Sequence, residues 1–257
     1  MADEVLTRCE GAVFTIELNR PGARNAFTRA LHRALREALE EAADPAIRCV
    51  VVTGRGPGFC SGQDLREFGE VAGSVAEALE QNYHPNVRLL RALEKPVLAA
   101  VDGAAAGAGL ALALACDVRI ASSSATFVPG FAGIGLVPDA GATFFLERLL
   151  GAARAFEWMC SNRRLSAHEA LAWGLVHEVV PEEDFAARIA EAAAEWAARP
   201  TGAVAGTKRL LDTARGSSLD EQLAREAAAQ QARVESADFV EGVAAFLEKR
   251  SPRFTGA

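Results

Sequence analysis

The sequence predicts an α/β fold that becomes almost wholly helical in its second half, and three observations predict it. Short apolar runs alternate with amphipathic stretches from Val5 to Ala121. From Gly141 onward nearly every segment carries a helical period, and two glycine-rich turns each follow an apolar run and precede a helix start. Strands joined by helical crossovers imply mainly parallel pairing.

Taken in order, Val5 to Cys9 and Val13 to Leu18 form a hairpin through Glu10-Gly11. Thr28 to Ala43 is an amphipathic helix with Leu31, Leu35 and Leu39 on one stripe and Thr28 as its cap. A strand at Cys49 to Thr53, a helix at Ser74 to Leu93 and a buried strand at Pro96 to Val101 follow, the last broken by Asp102-Gly103. Leu110 to Ala115 is a helix too apolar for a surface, and Val118 to Ala121 is a further strand. The helical second half is interrupted by a short strand at Val176 to Val180. Pro200-Thr201-Gly202 marks the boundary between a core, 1–200, and a terminal helical region, 201–257, with helices around Leu210-Leu211, Leu219 to Val234 and Phe239 to Leu247.

A chain of 257 residues with 50% hydrophobic residues can bury a sizeable core. No stretch is long and apolar enough to span a bilayer, and MADEVLTR has no basic-then-apolar layout, so a cytoplasmic protein without a membrane partner is expected. Cys9, Cys49, Cys60, Cys116 and Cys160 stand singly, as reduced and mostly buried thiols would. The net charge of −7 argues against nucleic acid as a partner. The histidines His32, His84, His168 and His177 have no metal-ligand spacing, and each reads as a surface or packing residue.

The two turns carry the chemistry. In the first, the strand at Cys49 runs into GRGPGFCSGQDL, residues 54–65; in the second, the strand at Pro96 runs into DGAAAGAGL, residues 102–110. A strand-to-helix turn rich in glycine presents free backbone N–H groups and the positive end of a helix dipole, which together hold an anion or a developing oxyanion. One donor from each turn is what a thioester enolate needs, because its charge collects on a single oxygen able to accept two hydrogen bonds. The same glycines would also serve tight backbone packing.

The segments NRPGARNAF (19–27), GFCSGQDL (58–65), KPVLAAVDGAAAGAG (95–109), IGLVPDAG (134–141), LSAHEALAWGLVHEVV (165–180) and FLEKRSPRFTG (246–256) occur in the order expected of the enoyl-CoA hydratase/isomerase, or crotonase, superfamily, and the chain resembles that superfamily over nearly its whole length. SGQDL, GAAAGAG, GLVPD and the tail most resemble its ring 1,2-epoxyphenylacetyl-CoA isomerases of phenylacetate degradation. The resemblance implies a ββα spiral core with a C-terminal helical region that assembles trimers or dimers of trimers. It also implies an acyl-CoA thioester substrate and no separate cofactor, coenzyme A being part of the substrate. The backbone N–H groups of Gln63 and Ala108 are the expected oxyanion donors. Because the family's second position is usually glycine, Gly107 or Gly109 could supply that donor instead of Ala108. Arg24 and Ala26 are expected beside the coenzyme, with Lys249, Arg250 and Arg253 of the tail as further charge. Ser61, Gly62, Leu65, Gly107, Gly109 and Phe131 are expected around the thioester. Asp64 belongs to the same group and orients its own turn.

Asp139 has two readings. An aspartate after Pro138 and before a helix starting near Ala140 suits an N-cap. Its apolar sequence neighbours, Phe127, Val128, Phe131, Ile134, Leu136, Val137, Phe144 and Phe145, would raise a carboxyl pKa into the range useful for proton transfer. The resemblance places an acid/base carboxylate in this turn, which favours catalysis. It also places the two water-holding glutamates of hydratases at Ala111 and Phe131, where neither residue can bind water or move a proton. The chain therefore reads as an isomerase, with an enoyl-CoA hydratase or a non-catalytic acyl-CoA-binding protein as alternatives. The substrate is the aromatic epoxide thioester or a 3-enoyl-CoA, and Phe68, Phe127, Phe131 and Phe144 are expected to line a pocket fit for either.

Other enzyme classes fit poorly. The glycines at 103, 107 and 109 imitate a dinucleotide turn, yet the single tyrosine, Tyr83, has Val87 where a dehydrogenase of that type needs lysine. No G-x-S-x-G elbow is present for a serine hydrolase.

Overall fold

The computed structural model describes residues 3–68 and 74–256, the Phe68 side chain excepted. The hairpin forms as expected, from β1 (Val5–Glu10) and β2 (Val13–Leu18). It continues into a parallel run through β3 (Cys49–Gly54), β4 (Val97–Val101), β6 (Val118–Ser122) and β9 (Glu178–Val180), giving the strand order β1-β2-β3-β4-β6-β9.

Both faces of this sheet are covered, which explains the near-continuous apolar strands. Side chains alternate between two cores. Val50, Val52, Val97, Ala99 and Val101 enter the larger one with Phe14, Ile16 and Leu18. Cys49, Val51, Leu98, Ala100 and Ile120 face the other way, against Phe185, Ala192, Ala193 and Ala197 of α9 (Glu182–Ala197). On the larger side lies α1 (Arg29–Glu41), whose Leu31, Leu35 and Leu39 are buried; the Thr28 hydroxyl caps it by accepting from the Leu31 N–H at 3.1 Å.

A second, smaller sheet is absent from the sequence reading. It joins β5 (Ala104–Ala106), β7 (Thr126–Val128) and β8 (Leu165–Ser166), with β5 and β7 parallel. These strands have two or three residues each, too short for period-two alternation to register. β5 leads into α5 (Ala108–Ala115), every residue of which is buried, in keeping with its composition.

The stretch expected as one helix from Ser74 to Leu93 is three pieces: α3 (Val75–Ala78), a π-helical turn over Leu79–Tyr83, and α4 (His84–Ala92). The helices α2 (Leu65–Phe68), α6 (Ala142–Leu150), α7 (Ala152–Ser161) and α8 (Ala167–Ala172) complete the first 200 residues. Beyond Pro200 come α10 (Thr201–Ala214), α11 (Leu219–Val234) and α12 (Ala237–Glu248). Arg48 ties this end back to the core by donating to the Thr201 hydroxyl and to the Arg199 and Phe254 carbonyls at 2.7–3.0 Å.

Candidate active site

The two glycine-rich turns meet, and the contacts that bring them together are backbone to backbone. Cys60 donates to the Ala104 carbonyl at 3.0 Å and Ala106 donates back to Cys60 at 2.9 Å. On the other side, Phe27 donates to Gly62 at 2.7 Å and Asp64 to Phe27 at 2.9 Å. The first turn is thus clamped between the segment before α1 and the strand before α5. Gly62, at φ +89°, allows the close approach: a Cβ there would stand 2.9 Å from the Ala106 oxygen and 3.4 Å from the Ala108 nitrogen. At Gly109 a Cβ would overlap the Cys60 carbonyl.

These contacts decide which amides remain available. The Gly107 N–H is spent on the Val128 carbonyl at 3.1 Å, which removes it as an oxyanion donor. Among the described residues the N–H groups of Gln63 and Ala108 have no acceptor. Both residues line a cavity of about 210 Å³, and the Ala108 amide lies in the first turn of α5, where helical N–H groups have no intrahelical partner.

Asp139 lines the same cavity. The capping reading is corrected here: α6 begins at Ala142, its N-cap is Gly141, and no side chain caps it. Ala140 at φ +49° and Gly141 at φ +83° are successive left-handed residues, and the Asp139 carbonyl rather than its carboxylate meets the Ala142 N–H, at 2.9 Å. A left-handed alanine costs about 1 kcal/mol, the kind of strain that clusters at functional sites. The Asp139 Oδ1 is buried with no hydrogen-bond partner among the described residues. Burial pushes the carboxyl up to about 6, against a smaller opposing pull from His84.

The apolar wall around this acid is not the set of sequence neighbours. Phe131, Ile134 and Leu136 line the cavity, whereas Phe127 is buried in the main core and Val137 is 80% exposed. Val128, Phe144 and Phe145 also lie outside the lining; Phe145 packs against Gly141 instead. Leu65, Val75, Leu79 and Tyr83 come from elsewhere in the chain to close the wall. The Phe68 side chain, expected in this pocket, lies outside the described residues.

Of the residues expected around the thioester, Ser61, Gly62, Leu65, Gly107 and Phe131 line the cavity together with Gln63, Ala108 and Asp139. Arg24, Ala26, Asp64 and Gly109 do not. Arg24 is exposed, and its carbonyl accepts from the Ser61 N–H at 3.0 Å, so its turn flanks the site. Ala26 is buried, with its carbonyl taken by the Arg20 guanidinium. Asp64 sits beneath the turn. It accepts from the Arg66 N–H at 3.2 Å and pairs with Arg66 and Arg20 at 3.1 Å, and these bonds, those of Arg66 foremost, hold its carboxyl down at about 2. In the tail, Arg250 is engaged by Glu241 and Glu248 of its own chain, at 2.6 Å each. Ala111, which the resemblance sets at a glutamate position of hydratases, is buried in the core and is not among the residues lining the cavity.

Tyr83, His32 and Glu67 are among the lining residues that escaped the sequence reading. The Tyr83 hydroxyl, brought in by the π-helical turn, donates to the Gln63 Oε1, and the Gln63 Nε2 donates to the Asp64 carbonyl at 3.1 Å. His32 lies beneath, stacked on Phe27 with ring centroids 4.4 Å apart. Glu67 stands at the wall with its carboxylate accepting from the Arg29 N–H at 3.2 Å. Only a π-turn, invisible to a 3.6-residue period, could have marked Tyr83.

Two backbone amides without an acceptor, those of Gln63 and Ala108, thus share one cavity with a carboxylate whose pKa burial raises. The sequence model described as enoyl-CoA hydratase/isomerase matches residues 8–257, and the chain belongs to that family. It is 42% identical to the 1,2-epoxyphenylacetyl-CoA isomerase of Escherichia coli (strain K12) over all of both chains. It is 38% identical to 4-chlorobenzoyl coenzyme A dehalogenase-1 of an Arthrobacter species, over 74% of this chain and 70% of that one. The crystal structure of an enoyl-CoA hydratase from Polaromonas sp. JS666 superposes with a TM-score of 0.91 at 37% identity, covering 97% of this chain and 99% of the other. The fold is accordingly the crotonase fold.

Proposed function

We propose that the protein is an acyl-CoA isomerase, with 1,2-epoxyphenylacetyl-CoA or a 3-enoyl-CoA as substrate. The observation that carries this reading is the Asp139 carboxylate, its buried Oδ1 without a partner among the described residues, in one cavity with the two unpaired amides of Gln63 and Ala108. Asp139 takes a proton from the carbon beside the thioester carbonyl. The electron pair moves onto the carbonyl oxygen, where the Gln63 and Ala108 N–H groups hold it, each such donor being worth about 10²–10³ in rate. Asp139 then returns the proton to another carbon of the conjugated system. Arg24 at the flank of the cavity is the basic group for the coenzyme phosphates. The full-length similarity to an epoxyphenylacetyl-CoA isomerase supports the aromatic substrate.

Hydration needs two groups to hold and activate a water. Ala111 and Phe131 provide neither, and Glu67 is engaged by the backbone at the start of α1. A panel assay with a 3-enoyl-CoA, crotonyl-CoA and the epoxide thioester is expected to show isomerisation and slow or no 3-hydroxyacyl product. Fast hydration of crotonyl-CoA would overturn the isomerase assignment.

The working protein is proposed to be a cytoplasmic trimer or dimer of trimers. Leu211, Leu219, Val240, Phe246 and Leu247 of the last helices stand 64–82% exposed, more apolar surface than a single chain leaves bare without a partner. Light scattering is expected to give a multiple of three 27.1 kDa chains, and an active monomer would refute the assembly.

A further inference from the structure

The Gln63 amide is aimed by its backbone. The Gly62 carbonyl accepts from the Phe27 N–H at 2.7 Å, and in a planar trans peptide the carbonyl and the following N–H point opposite ways, so the Gln63 N–H is directed away from Phe27. Phe27 lies outside the cavity lining and Gln63 within it. The side chain of Gln63 is a separate matter. It carries a carbonyl oxygen of its own, in a cavity that also holds two backbone N–H groups lacking an acceptor among the described residues. Left free, that oxygen would compete with a ligand for them, as polar side chains close to the backbone do.

Both ends of the side-chain amide are tied. The Nε2 donates to the Asp64 carbonyl at 3.1 Å, and the Oε1 accepts from the Tyr83 hydroxyl. Tyr83 ends the π-helical turn Leu79–Tyr83, a kind of turn that recurs at functional sites. Its ring packs edge-on against His32, with centroids 4.0 Å apart, and against Phe27 at 5.7 Å. Burial first, and then the charge of Asp139, raise the phenol above its ordinary range, so the hydroxyl keeps its proton and remains a donor.

Resting on the acyl-CoA reading above, we infer that Tyr83 is a positioning residue, whose hydroxyl holds the Gln63 side-chain oxygen and so leaves the Gln63 and Ala108 N–H groups open to the thioester oxygen. It acts through Gln63 and touches no reacting atom.

Tyr83→Phe keeps the ring on His32 and Phe27 and removes the hydroxyl. It is expected to lower kcat about tenfold with KM within about twofold, since an enolate oxygen depends on the two donors more than a ground-state carbonyl does. The thioester carbonyl stretch of bound phenylacetyl-CoA, read by infrared difference spectroscopy, reports the same donors without turnover. It is expected to lie below that of the free thioester in the wild type and to be less shifted in Tyr83→Phe. Gln63→Met has no side-chain oxygen to release, and adding Tyr83→Phe to it is expected to change neither kcat nor the stretch. An equal loss in both backgrounds would mean that Tyr83 acts on the substrate directly or only supports the fold, and would overturn the inference. So would an unchanged kcat and stretch in Tyr83→Phe, or an unshifted stretch in the wild type; in each of these cases the acyl-CoA reading stands. Failure of phenylacetyl-CoA to bind the wild type overturns that reading and the inference with it.

Discussion

Asp139→Asn is expected to lower turnover by about 10²-fold or more while thioester binding stays within a few fold, because the amide keeps the shape of the carboxylate but cannot take a proton. Near-normal turnover would sink the assignment. In the wild type, kcat/KM is expected to rise with pH through about 6 and then level, since the base must be ionised and burial holds its pKa there. Stability moves the opposite way. Between the ordinary value of 3.8 and about 6, the native state keeps a proton that the unfolded chain has released, so stability falls as pH rises across that window and the loss is complete above it. Asp139→Asn removes that loss. Its melting temperature is expected to exceed the wild type's by about 2–4 °C at pH 7.5 and to match it below pH 4.

Gly109→Ala is expected to cost about 10² in turnover and about 1–3 kcal/mol in stability, although alanine is ordinarily the better helix former. The added Cβ would overlap the Cys60 carbonyl, which is itself bonded to the Ala106 N–H, so the first turn of α5 must move away from the first glycine-rich turn. That shifts the Ala108 amide relative to Gln63, and the proposed pair of oxyanion donors depends on their spacing. Gly206→Ala, in α10 with open space at its Cβ, is the control and is expected to be neutral or slightly stabilising. An unchanged turnover in Gly109→Ala would show that this contact does not set the spacing of the donors.

The central strands β3 and β4 were legible because each is an apolar run long enough to be recognised, and α1 because its leucines repeat on one stripe above a threonine cap. The all-apolar α5 announced its own burial. The three strands of the small sheet were not legible, nor was the π-turn that brings Tyr83 to Gln63, since neither produces a period of two or 3.6. Among the site residues, Gln63, Ala108 and Asp139 could be named because they stand in contiguous segments that resemble the family's. His32 read as a surface or packing residue, and nothing local to it in the chain says that it also lines the cavity.

By itself the sequence determined the class of fold, pointed to the family and singled out Asp139 and the two turns, all of them properties of contiguous segments. Only the tertiary structure decided which amides stay free, that Asp139 does not cap its helix, and that the apolar wall around it comes from Leu65, Val75, Leu79 and Tyr83 as much as from its own loop. The reason is physical: hydrogen-bond satisfaction and desolvation are set by whichever groups the folded chain brings within a few ångströms, whatever their separation along it.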